Sequence, residues 1–389
     1  MATQQEAQVR RERGQTIASV EANVRRLDEN EYRVRSQSGS GEYAILSTER
    51  GWTCSCPDFI FREQKCKHIF AVELSLEIRR RIENAKRIMP LDFQSCLSCG
   101  SEQIVRDGIL HNKSGDIQRY SCKQCGSRFT KNLGFERMRA SPEAITQAMQ
   151  LYFTGESLRN VQKFLLLQGV KVSHVAIMKW IRKYVALMGK YVSELTPNVS
   201  DTWRADELYL KVKGNMKYLY ATMDDETRFW IAQEVADSKY THDARNLLRA
   251  SKLAAGKTPK TFITDGAHNY HMAFKKEFLS NFGHGPEVHI RHITLKGDHN
   301  NNKMERLNGE FRDREKVMRG LKTEDSPALK GYQIFHNFVR PHEGLKGKTP
   351  AEAAGITVEG QNKWLTIIQN AEHLQRVNRE KAEGGRQPS

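Results

Sequence analysis

The chain has 389 residues, 38% of them hydrophobic, which suits roughly two to four ordinary globular domains. Lys and Arg total 62 against 46 Asp and Glu, so the formal net charge is +16 and a polyanionic partner, nucleic acid first, is favoured. No stretch approaches the ~20 apolar residues that span a bilayer. MATQQEAQVRRERGQ lacks the apolar segment of a secretory signal, so the expectation is a cytoplasmic protein without a membrane partner.

All seven cysteines precede residue 126. In a reducing compartment, spaced pairs are more often metal ligands than disulfides. The first set is Cys54 and Cys56 (CSCPDF), then Cys66 and His68 (CKHI). Zinc takes four ligands in a tetrahedron, and two close pairs of thiolate and imidazole donors can enclose it. Before this set, 31–35 and 42–47 read as strands split by the SQSGSG turn; after it, CKHIFAVELSLEIRRRIE reads as a helix with an apolar face. The alternative is a chance cluster of reduced thiols. A hairpin, then CxC, then CxH opening a helix resembles the SWIM zinc finger, placed at 1–90.

The second set is Cys96 and Cys99, then Cys122 and Cys125. Each pair is CxxCG, a knuckle whose glycine turns the chain beneath a metal. The stretch between the knuckles, 100–121, is slightly long for a zinc ribbon, but a hairpin of strands 104–110 and 118–121 around HNKSGD fits it. Tyr120 and Phe129 read as its packing residues, giving a ribbon over 91–135. A CxxC redox site is the alternative; no thioredoxin-like pattern surrounds it. The two sets imply two structural zinc ions.

Helix signals dominate 141–195. Ser141 caps a helix with Pro142 at its first position, and Gly155 ends it. Ser157 caps LRNVQKFLLL, Gly169 breaks that helix, and Ser173 caps HVAIMKWIRKYVALM. The last two helices read either as a plain bundle or as a helix-turn-helix whose second helix carries Lys179, Arg182 and Lys183 toward DNA.

From 199 to 356 strand and helix signals alternate: strands 203–212, 217–223 and 228–234, helix 241–254, strand 260–264, helix 269–282, strand 287–292 and helix 301–320. That is the order of an α/β ribonuclease-H-like domain, followed by a C-terminal helix and tail over 357–389. Asp206 sits in mid-strand, where a charge is costly unless paired or metal-bound. Asp265 ends a strand, where open α/β sheets form their sites. Glu305 lies on a helix. Carboxylates suit Mg²⁺ or Mn²⁺, and two such ions can serve an in-line phosphoryl displacement. Glu207, Asp224, Asp225, Asp298 and Glu310 are equally acidic neighbours, and periodicity does not choose among them.

WRADELYLKVKGNMKYLYATMD, FITDGAHNYHMAF and NNKMERLNGEFRDR resemble the three catalytic motifs of insertion-sequence DDE transposases, those of insertion sequence six above all. HNFVRPHEGLKGKTPAEAAG resembles the segment that closes such domains, and SLRNVQKFLLLQGVKVSHVAIMKWIRKY resembles their helix-turn-helix. The likeness covers roughly 141–356 and implies Asp206, Asp265 and Glu305 as the triad, two Mg²⁺ or Mn²⁺ ions, and a homo-oligomer. It also implies element ends and target DNA as double-stranded partners and nucleoid association. The stretch 266–304 is longer than the group's usual spacing, and the zinc modules are absent from short members. Competing readings are a domesticated, non-catalytic DNA-binding regulator and a nuclease without strand transfer.

Overall fold

The computed structural model describes residues 4–18, 20–28, 30–37, 39, 41–48, 51–112, 115–278, 288–291, 301–318, 321–324 and 326–384. The chain divides into two compact units, Met1–Lys86 and Arg87–Ser389. Among the described residues no helix is long and apolar enough to cross a membrane.

The first unit opens with helix α1 (Gln4–Ala18), then an antiparallel meander β1 (Val24–Arg26), β2 (Glu31–Arg35), β3 (Glu42–Thr48) and β4 (Gly51–Cys54). Alternation in EYRVR buries Tyr32 and Val34, which meet Ile45 and, from the helices, Ile17, Ile69 and Val72. Helices α2 (Pro57–Arg62) and α3 (Lys67–Ala85) complete it, with α3 laid on the sheet.

The second unit begins at β5 (Arg87–Ile88), which pairs in parallel with a strand 270 residues later, so the first-unit boundary falls before residue 90. The ribbon sheet follows: β6 (Ile104–Asn112), β7 (Gly115–Cys122) and β8 (Arg128–Thr130). Tyr120 and Phe129 stack across it at 5.8 Å, as their placement beside the knuckles suggests. Helices α4 (Pro142–Thr154), α5 (Leu158–Leu167) and α6 (His174–Val192) come next. The hydroxyls of Ser141, Ser157 and Ser173 accept the amides of Ala144, Asn160 and Ala176, one cap per helix.

The largest sheet has strand order β11-β10-β9-β12-β13. Strands β9 (Thr202–Val212), β10 (Asn215–Asp224) and β11 (Trp230–Ala236) are antiparallel. After helix α7 (Thr241–Ala255), β12 (Thr261–Thr264) joins parallel to β9. Helix α8 (His268–Glu277) and β13 (Val288–Arg291) follow, then α9 (Asn302–Met318), which packs along β9. The ends expected for these elements at 279–282, 287, 292 and 319–320 lie outside the described residues. This mixed five-stranded sheet with flanking helices is the ribonuclease-H-like fold expected from the element order.

Chain closure comes from α10 (Pro327–Ile334), a π-helical turn at Phe335–Val339, α11 (Pro350–Ala353), β14 (Thr357–Val358, the partner of β5) and α12 (Lys363–Gly384). Gln333 and Asn337 donate side-chain amides to the Trp230 carbonyl, both at 2.9 Å, and the Asn337 oxygen accepts Trp230 N–H at 2.8 Å. That clamps α10 to sheet strand β11. On its other side α10 packs on α6 and α4, and Trp364 of α12 stacks on Phe153 and Phe335. The C-terminal helix is therefore part of the core rather than an appendage, and α4–α6 share that core with the sheet domain. Excising 1–195 would expose this packing, so point substitutions test recognition more cleanly than truncation.

Gly331 marks the tightest helix contact: an added Cβ would lie 2.2 Å from Phe153 Cζ and 2.8 Å from Val185 Cγ2. Gly331→Ala should cost roughly 1–3 kcal/mol by forcing α10 off α4 and α6. Calorimetry should show a melting midpoint lowered by several degrees; an unchanged midpoint would disprove this contact.

Candidate active site

Strand pleating sends neighbours Asp206 and Glu207 to opposite faces. Asp206 Oδ2 accepts Asn308 Nδ2 from α9 at 2.8 Å, and its Oδ1 accepts Glu207 N–H at 3.0 Å. Glu207 pairs instead with Lys239 at 2.7 Å. In the β12–β9 register Ile263 stands opposite Arg204, so two residues further Asp265 emerges beside Asp206. Asp265 Oδ1 accepts Ala267 N–H at 3.1 Å, and Gly266, at φ +97°, makes the sharp exit that a side chain would strain. Arg291 of β13 donates to the Gly266 carbonyl and fixes that turn.

Glu305 lies in the first turn of α9. The helix is registered on β9 by three contacts: Asn301 Nδ2 to Ala205 O at 3.4 Å, Asn308 to Asp206, and Lys211 N–H to Glu315 Oε1 at 2.8 Å. Residues 301, 305 and 308 are spaced by four and three, so Glu305 shares the face that meets Asp206. The Asp206 carboxyl is pushed up to about 7, first by burial, then by the charges of Glu207, Asp265 and Glu305. The three carboxylates thus feel one another. Among the described residues the only groups of three or more Cys, His, Asp or Glu with ligand atoms all within 4.8 Å are the two cysteine sets, so the carboxylates do not close on one ion. A wider spread suits a pair of ions ~3.5–4 Å apart.

The competing acids are occupied. Asp224 accepts from Ser200 and Thr227 through both amide and hydroxyl groups. Asp225 pairs with Arg204 and Lys303, and Glu310 holds Arg340 with both oxygens. Asp298 lies outside the described residues. Among the described residues Asp206, Asp265 and Glu305 make no ion pair.

The sequence profile of the DDE domain matches residues 200–342, and that of the SWIM zinc finger matches 47–77. The chain is 26% identical over 159 residues to the transposase for insertion sequence-like element IS431mec of Staphylococcus aureus, covering 40% of this chain and 68% of that one. The same figures hold for the transposase for insertion sequence element IS257 in transposon Tn4003 of Staphylococcus aureus. Residues 200–342 thus carry a DDE domain similar to that of insertion-sequence transposases. Among solved structures, the HTLV-2 integrase catalytic core domain in complex with magnesium is similar at 17% identity and TM-score 0.30, over 41% of this chain and 98% of that one. A simian T-cell lymphotropic virus intasome in complex with PP2A regulatory subunit B56 gamma is similar at 16% identity and TM-score 0.30, over 52% and 72%.

The chain also brings its cysteines together as expected, and all seven are free thiols. Cys54 ends β4, Cys56 caps α2, and Cys66 and His68 flank the start of α3, all buried. His68 Nδ1 lies 3.9 Å from both Cys54 Sγ and Cys66 Sγ. The Cys66 thiol is held down to about 4, first by the Cys54 thiol and further by His68. In the ribbon, Cys96–Cys125 and Cys99–Cys122 sulfurs are each 3.6 Å apart, close to the ~3.8 Å of tetrahedral sulfurs on ~2.3 Å zinc bonds. Gly100 and Gly126 both adopt φ +73° and donate to the Cys96 and Cys122 carbonyls, so the two knuckles are copies. Both donor sets fit zinc, and zinc and divalent-metal use follow from the SWIM and DDE domains.

On α6, Ile177, Trp180, Ile181 and Tyr184 face the core, while Lys179, Arg182 and Lys183 are exposed together on the outer face. Sequence reasoning missed Asn308, Arg340 and Arg314. The first two act on partners at least 30 residues away in the chain, and no local motif announces them.

Proposed function

We propose that this transposase cuts and rejoins DNA at the ends of its element, with Asp206, Asp265 and Glu305 as the catalytic carboxylates. The observation that carries the assignment is electrostatic: these three acids lack an ion pair among the described residues, whereas the described acids competing with them are neutralised or saturated. Two Mg²⁺ or Mn²⁺ ions bound there would neutralise the reacting phosphoryl group and favour ionisation of the attacking oxygen. Asn308 aims the Asp206 carboxylate, and the Ala267 amide aims Asp265. A water oxygen attacks phosphorus at the element end as the bond to the 3′ oxygen breaks and a 3′-hydroxyl leaves. That hydroxyl then attacks a target phosphodiester, one P–O bond forming as another breaks, so no external energy source is required. Positioning and charge neutralisation dominate such chemistry.

The exposed cations of α6 are the duplex-reading face, within a helix-turn-helix at 141–195 that precedes a catalytic domain at 199–356. The SWIM finger and the ribbon at 91–135 add contacts to the element ends. An element has two ends and each cut uses one triad, so the working form is at least a homodimer, acting on nucleoid DNA in the cytoplasm.

Glu305→Gln keeps size but removes charge, and should lower end cleavage and strand transfer about a thousandfold or more while end binding survives. Glu310→Gln loosens Arg340, and should melt a few degrees lower yet retain most cleavage. Assays on a pre-cut and an uncut end decide it: an active Glu305→Gln sinks the assignment, and an inactive, normally melting Glu310→Gln moves it along the helix.

Two structural zinc ions complete the proposal, one per cysteine set. Elemental analysis should give about two zinc per chain, and about one in either Cys66→Ser or Cys122→Ser. A wild-type content below about one per chain, or no loss in Cys122→Ser, refutes the two-site arrangement.

A further inference from the structure

A cleft of about 600 Å³ opens between the first turn of α5, α6, the end of α9 and residues 321–323 and 326–327. Arg159, His174, Arg182, Arg314 and Lys322 line it, and among the described residues no acidic side chain does. Arg159, Arg182 and Lys322 are exposed, and none of them forms an ion pair among the described residues. Two long helices begin at this cleft, and their first-turn residues Arg159 and His174 line it, adding the positive ends of their dipoles.

The decisive feature is Arg314, which is only 4% exposed. One of its nitrogens donates to the Glu156 carbonyl at 3.1 Å, and its guanidinium lies 4.0 Å over the Tyr152 ring. Its Nε and Nη2 are buried without a hydrogen-bond partner, and no carboxylate pairs with it among the described residues. A buried guanidinium is tolerated poorly unless an anion completes it. Its planar fork matches two oxygens of a phosphate.

We infer that this cleft binds a phosphodiester of the DNA duplex, with Arg314 as the buried fork and Arg159, Arg182 and Lys322 as the rim. The inference rests on the transposase reading, since Arg182 belongs both to the rim and to the outer face of α6. A duplex lying on that face brings its backbone to the cleft. The site is separate from the carboxylate triad: Arg314 is nine residues beyond Glu305 on α9 and touches α4 and the α4–α5 turn rather than β9. Its work is to fix the duplex relative to the catalytic sheet, because Arg314 and Glu305 stand on one helix.

The test uses the full-length, zinc-loaded chain and a fluorescent end duplex, titrated by anisotropy over a salt series. Arg314→Met should bind the duplex at least about tenfold more weakly at fixed salt, with a melting midpoint equal to or above wild type, because an unpaired buried charge is gone. The exposed pair Arg159→Ala/Lys322→Ala should lower the slope of log K against log salt by about one to two. Should Arg314→Met not fold, the exposed pair decides alone. Wild-type affinity and slope in these variants overturn the cleft and leave the catalytic reading standing. Inorganic phosphate at constant ionic strength is the second arm. If phosphate raises the wild-type midpoint but not that of Arg314→Met, while duplex binding is unaltered, the cleft takes a small anion and the inference is overturned. A wild-type chain that binds no DNA overturns the transposase reading and the cleft with it.

Discussion

Three carboxylates left, among the described residues, without a protein cation are the constraint around which the sheet of the second unit is built. Burial and like charge raise the Asp206 carboxyl to about 7, against 3.8 for an ordinary aspartate. The protein neutralises Glu207, Asp225 and Glu310 with Lys239, Arg204, Lys303 and Arg340, yet among the described residues it offers Asp206 only amides, from the Asn308 side chain and the Glu207 backbone. An amide orients a carboxylate without cancelling its charge. The arrangement therefore favours an external cation strongly, and the repulsion that opposes folding without one is the same term that attracts it.

The scaffold holds that repulsion in place through backbone register. The parallel pairing of β12 with β9 sets Asp265 beside Asp206, and the contacts of Asn301, Asn308 and Glu315 hold α9 along β9. Asn337 and Gln333 then tie α10 to Trp230, and α10 packs on α6. Helix α6, with its exposed Lys179, Arg182 and Lys183, and the sheet that carries Asp206 and Asp265 are thus joined by packing, not by a linker. A tightly packed joint of this kind transmits a shift of α6 to the sheet rather than absorbing it.

Much of this was legible in the sequence because the signals are local. Ser141, Ser157 and Ser173 announce their helices within three residues, and each CxxCG carries its own turn. Among the acids only the motif resemblance chose; periodicity did not, because what sets the neighbours apart is partners such as Lys239, Lys303 and Arg340, which only tertiary structure delivers. The same holds for Arg314, whose meaning lies in what it lacks. The packing of α12 was not legible for a related reason: Trp364 meets Phe153 more than 200 residues back in the chain.

The most direct measurement is the melting midpoint of the zinc-loaded chain with and without Mg²⁺, in wild type and Asp206→Asn. Relief of repulsion should raise the metal-free midpoint of Asp206→Asn above wild type. Saturable stabilisation by Mg²⁺ should appear in wild type and be lost in the variant. A metal-free midpoint below wild type together with an undiminished Mg²⁺ response in Asp206→Asn would contradict the claim that these carboxylates form the cation site.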